Sequence, residues 1–137
     1  MARKLAQGVG RTPPACSPNP DYHRSVLLAT AVTVVHLLLA PHGANGVRGS
    51  VTLAPVTPNT TRIAVTLAVR DRKLRPVHIH GGRCGSFFGL PFGVHLIRGA
   101  HASFVVHASL RALRRDGYAL DVHASTTSPS WITCANL

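Results

Sequence analysis

Two of the nine histidines in this 137-residue chain are spaced to work together: His78 and His80, in Pro76-Val77-His78-Ile79-His80-Gly81. On a β-strand alternate side chains share a face, so both imidazoles project to one side while Ile79 points to the other, where a core can take it. A third imidazole, His123, ends a second strand-like segment, Tyr118-Ala119-Leu120-Asp121-Val122-His123. Laid alongside the first, that segment would complete a set of three neutral imidazoles. Such a set suits copper or zinc.

A cysteine accompanies each histidine-bearing segment, Cys84 just after the first and Cys134 after the second. If the chain reaches an oxidising compartment, the two are expected to pair and so to fix the strands that carry the imidazoles. The alternative, both thiols as metal ligands, lacks the paired spacing of thiolate sites. The third cysteine, Cys16, lies in the proline-rich stretch Thr12-Pro13-Pro14-Ala15-Cys16-Ser17-Pro18-Asn19-Pro20 and is read as incidental.

Positioning these groups requires strands, and the sequence offers them in number. Val47 to Leu53 alternates Val47, Gly49, Val51 and Leu53 with Arg48, Ser50 and Thr52. Arg62 to Val69 alternates likewise, with Ile63, Val65, Leu67 and Val69 on one face, and Pro55 to Asn59 supplies the turn of a hairpin. Pro76 to His80, Val94 to Ile97, Ser103 to Leu110, Tyr118 to His123 and Trp131 to Cys134 bring the total to about seven short strands. Gly81 to Gly93 is too rich in glycine for regular structure, and Ser109 to Gly117 has room for a helical turn. Short strands between Gly/Pro turns predict an all-β sandwich or Greek-key barrel over 46–137.

The N-terminal part reads differently. Residues 1–24 are basic and proline-rich and are expected to be disordered. Ser25 to Ala40 is a run of about 16 mostly apolar residues, about 24 Å as a helix. That length is short for a bilayer and right for the apolar region of a secretory signal, so 25–44 is expected to be a signal peptide or membrane anchor. Only 25–40 would touch a membrane. The expected destination is secreted, periplasmic or attached to the cell envelope.

Fifteen Lys and Arg stand against four Asp and no Glu, a formal charge of +11. Such a chain would adhere to anionic polymers of an envelope through its long-range field. An Arg- and Ala-rich, Lys-poor usage also follows from a GC-rich coding sequence alone. The densest run, Arg70-Asp71-Arg72-Lys73-Leu74-Arg75, falls at an expected turn and reads as a solvated loop. With one Trp, two Tyr and four Phe, the aromatic platforms of single-strand binders are missing, so no specific nucleic acid is expected.

From Gly46 to Leu137 the chain resembles the copper/zinc superoxide dismutase fold family and the related small secreted chordin-type (CHRD) domains. The likeness rests on His78-Ile79-His80-Gly81, Cys84-Gly85, Leu113 to His123, Ser125 and Cys134. It implies a Greek-key β-barrel, a Cys84–Cys134 disulfide, and copper-ligand positions at His78, His80 and His123. His95 or His101 would be the fourth ligand, although a polar residue at a strand end is the more ordinary role for either.

The chain also departs from that family. Gly85 to Gly99 holds one histidine, His95, and no aspartate, so no zinc site of the family type is expected. Before Cys134, where the family places an arginine to orient superoxide, stands Ser128-Pro129-Ser130-Trp131-Ile132-Thr133. Steering by net charge without a positioned guanidinium falls short of a catalytic site. No catalytic residue is therefore assigned. The expected function is an exported, non-catalytic barrel that can bind copper; a copper-only superoxide dismutase and a basic envelope adhesion module are the alternatives. His36, His107 and the sequon-like Asn59-Thr60-Thr61 carry no assigned role.

Overall fold

The structure, a computed structural model, describes residues 31–137. These form β1 (Val35–Pro41), β2 (Gly49–Thr57), β3 (Thr60–Leu67), β4 (Leu74–Arg83), β5 (Ser86–Phe88), β6 (Val94–Arg98), β7 (His101–Val106), a short helix α1 (Leu110–Arg115), β8 (Tyr118–His123) and β9 (Trp131–Asn136). Hydrogen-bonded neighbours run β4-β6-β7-β3-β2-β1-β9-β8, every pair antiparallel, and β8 pairs back onto β4. The fold is thus a closed eight-stranded barrel, with β5 hydrogen-bonded to the far end of β4. Closure removes the free edges that an open sheet of this size would expose. β8 returns from α1 to lie beside β4, giving the spatial order β8-β4-β6-β7 of a Greek key.

Alternation decides which side chains fill the barrel. Val51 and Leu53 of β2, Ile63, Val65 and Leu67 of β3, Val77 and Ile79 of β4, and Leu120 and Val122 of β8 are all buried in one core. Burial of these branched side chains is the main term favouring the fold, at about 1.5–3 kcal/mol each. Ser109 caps α1 by accepting from the Ala112 N–H at 3.0 Å, and Leu113 of that helix is fully buried in the same core.

The apolar run that reads as a signal or anchor helix needs correction. Its second half, Val35–Pro41, is strand β1, paired with β2 and with β9, so the barrel wall begins well before Gly46. Leu39 is buried while Leu38 is 84% exposed, the two-residue period of a strand. A continuous apolar run cannot be told apart as strand or helix by periodicity alone. Residues 1–24 and 25–30 lie outside the described residues.

Two further expectations change. The glycine-rich stretch after His80 is partly regular: β4 continues to Arg83 and turns through Cys84-Gly85 into β5, with Gly85 at φ 86°. That left-handed conformation is what glycine supplies at a tight turn. The basic run 70–75 is not wholly a solvated loop. Arg75 faces the barrel end, 4% exposed, and donates to both oxygens of Asp71 at 2.8 and 2.7 Å. Those bonds hold the Asp71 carboxyl at about 2 and close the β3–β4 turn.

Candidate metal centre

The register of β4 against β8 builds the site. Ile79 opposes Leu120 and Val77 opposes Val122, all four directed into the core. The alternate positions therefore face outward, which sets His78 opposite Asp121 and His80 opposite Ala119 on the outer wall. His123 follows at the end of β8, where the β8–β9 register shifts between Val122 and His123. Although it faces outward, Asp121 is 1% exposed, because the three imidazoles close around it.

Backbone carbonyls fix two of the rings. Nδ1–H of His80 donates to the Gly89 carbonyl at 2.8 Å, and Nδ1–H of His123 donates to the Ser128 carbonyl at 3.0 Å. A carbonyl only accepts, so in the neutral rings the proton sits on Nδ1 and Nε2 is a bare acceptor. Those bare atoms turn toward the carboxylate: His80 Nε2 lies 3.6 Å from Asp121 Oδ1, and His123 Nε2 lies 3.4 Å from Oδ2. His78 presents Nδ1 to Oδ1 at 3.7 Å. Ligand atoms of His78, His80 and Asp121 all fall within 4.8 Å of one another.

A bound cation, or a proton on one of the imidazoles, would satisfy acceptors gathered in this way. The Nδ1 of His78 and the Oδ1 of Asp121 are buried with no hydrogen-bond partner, and leaving such a group unpaired costs about 1–3 kcal/mol. Ligands held about 2.0–2.2 Å from a tetrahedral ion lie about 3.3–3.6 Å apart. The nitrogen-to-oxygen separations here, 3.4 to 3.7 Å, lie near that range, with His78 and His80 on Oδ1 and His123 on Oδ2. The outward carbonyl bonds of His80 and His123 match the orienting shell of metal-bound imidazoles. His78, His80 and Asp121 thus bring ligand atoms close enough together to hold a cation, with His123 on the second oxygen of the same carboxylate.

Burial also sets the protonation of the cluster. Desolvation, reinforced by His123 and His80, pushes His78 down to about 4. Burial pushes the Asp121 carboxyl above its ordinary value, against the pull of His123 and His80. A base depressed in the folded state gives stability that is complete above its unfolded value, 6.5, and that falls away as pH drops toward 4. Stability of the metal-free protein measured at pH 7 and pH 4.5 is therefore expected to fall less steeply in His78→Gln than in the wild type. Equal slopes would show that His78 titrates as it does in the unfolded chain.

The other histidines among the described residues stand elsewhere. His95 opposes Val77 and so projects from the inner face of the wall, where it stacks on Phe104 at 3.7 Å. His101, on β7, is exposed and lies 3.3 Å from the Thr66 hydroxyl. Neither reaches the cluster; the further group that stands beside the three imidazoles is Asp121. The signal for Asp121 was present: Asp-x-His repeats on β8 the spacing of His-x-His on β4. His36 bonds Thr52, and His107 is exposed at the end of β7.

Around the cluster the wall is tied down. Cys84 and Cys134 form a disulfide with Cα atoms 6.0 Å apart, joining the β4–β5 turn to the β9 residue opposite Asp121. Phe87 of β5 stacks on His80 at 4.7 Å, and Trp131 packs edge-on to Phe87 at 5.6 Å. No family model, curated protein or solved structure matches the chain.

Proposed function

We propose that this chain is an exported, metal-binding β-barrel that holds one copper ion through His78, His80, His123 and Asp121, and that it is not an efficient dismutase. The observation that carries this reading is the convergence of three imidazole nitrogens on a buried carboxylate at 3.4 to 3.7 Å. Among divalent first-row ions copper binds such nitrogen and oxygen donors most tightly. Zinc is the second reading, since it takes the same imidazole and carboxylate donors. The closed antiparallel barrel and the disulfide beside the site are compatible with the likeness to the superoxide dismutase and CHRD families. Export draws weaker support from that disulfide, since such bonds persist in oxidising compartments.

The non-catalytic part of the proposal follows from the fourth ligand. A carboxylate in that position removes the open coordination site that a reacting anion would need, and it adds negative charge where superoxide would approach. The segment before Cys134 supplies no arginine. Arg98, a conceivable substitute, lies at the distant β6–β7 turn, and Arg83 belongs to the β4–β5 hairpin. Bound copper would supply redox capacity; the protein would supply positioning and shielding.

The copper-loaded full chain is expected to consume superoxide slowly, at a rate little above that of free copper. A near-diffusion-limited rate that falls with added salt and disappears in His123→Ala would restore the enzyme reading.

A further inference from the structure

Cations from three separate parts of the chain gather at one end of the barrel. Arg48 precedes β2, and its carbonyl accepts from the Ala68 N–H at 2.8 Å. Arg70, Arg72 and Lys73 lie in the β3–β4 connection. Arg98 ends β6 opposite Leu74, and the following Gly99 N–H donates to the Lys73 carbonyl at 3.0 Å. Backbone bonds therefore stitch the three segments into one surface.

The charge on that surface is free. All five side chains are exposed, and among the described residues none has a hydrogen-bond or ion-pair partner. The one acid in these segments, Asp71, is bound by both oxygens to the buried Arg75. Asp116 lies beyond α1 at the opposite end, and Asp121 is enclosed by its histidines. The segments 46–49, 68–75 and 98–101 contain no Phe, Tyr or Trp. Stacking on bases has no platform there. What remains is a multi-point cation surface spread over three loops, suited to a chain of charges rather than to one small anion.

We propose that this end of the barrel binds a linear, non-nucleic polyanion, a polymer bearing repeated phosphate or sulfate groups. The surface is separate from the histidine cluster and does not depend on metal. It converts a general excess of positive charge into a located one, which makes it testable against net charge alone.

The test is titration of labelled inorganic polyphosphate and a heparin fragment of similar length with the full chain at several salt concentrations. Arg70→Ser/Arg72→Ser/Lys73→Ser is expected to weaken binding roughly 10- to 100-fold at low salt and to reduce the slope of log affinity on log salt by about 2. The charge-matched variant Arg111→Ser/Arg114→Ser/Arg115→Ser, at the other end, is expected to stay close to wild type. The ratio of polyphosphate to heparin affinity distinguishes the two sources of charge. Equal losses in both variants would show net charge acting without a site, and a base-dependent preference for single-stranded DNA would show a nucleic-acid surface. Either result overturns the proposal.

Discussion

Replacing Asp121 by asparagine is expected to weaken copper binding at least about 100-fold and, in the metal-free protein, to raise the unfolding free energy by about 1 kcal/mol. Opposite signs in the two states are the mark of a ligand. Without metal, the carboxylate is buried among three imidazole nitrogens, with Oδ1 unpartnered. A neutral amide of the same shape has donors to offer those nitrogens. With metal, the lost charge removes the strongest partner of the cation. Titration calorimetry and urea unfolding, each done with and without copper, read the two effects. If the asparagine variant is less stable without metal and binds copper as well as wild type, Asp121 is a structural anchor for the imidazoles.

The second large effect concerns the bridge. The Cys84–Cys134 bond closes a sequence separation of 50 residues, and the chain-entropy argument gives about 4 kcal/mol for such a loop. Cys84→Ala/Cys134→Ala should therefore lower the unfolding free energy by about 4 kcal/mol in urea. It should also loosen the site, because the bridge holds the β4–β5 hairpin whose Phe87 covers His80, and the following Gly89 carbonyl fixes the His80 ring. A loss below about 1 kcal/mol would mean that the unfolded chain keeps the two ends of that loop together without the bridge.

How much of this was legible depended on periodicity. The two-residue period placed the β2–β3 hairpin and seven strands of the barrel wall, because alternating burial leaves its mark on sequence whenever one face of a strand meets a core. It also set His78 and His80 on one face. β1 was hidden because its apolar residues on both faces mimic a helix core: Leu38 is outward and exposed yet as apolar as Leu39, which is inward. β5 was hidden by the glycines around it, whose freedom in turns outweighs any strand signal. Asp121 was passed over for a different reason. The Asp-x-His spacing puts it on the face of His123, but its place opposite His78 and its burial come from the cross-strand register and from histidines distant in sequence, and neither quantity is local.

The most direct test of the metal centre uses Trp131, the chain's only tryptophan, which sits opposite His123 in the β8–β9 register. Copper titrated into the metal-free full chain is expected to quench Trp131 fluorescence saturably at one ion per chain, and zinc is expected to compete with copper without quenching. His42 stacks on Trp131 at 3.5 Å, so the titration is repeated in His42→Ala, where quenching should persist, and in His80→Ala, where it should be lost. Quenching that survives His80→Ala, or that never saturates in the wild type, would contradict the proposal that these three histidines and Asp121 hold a metal.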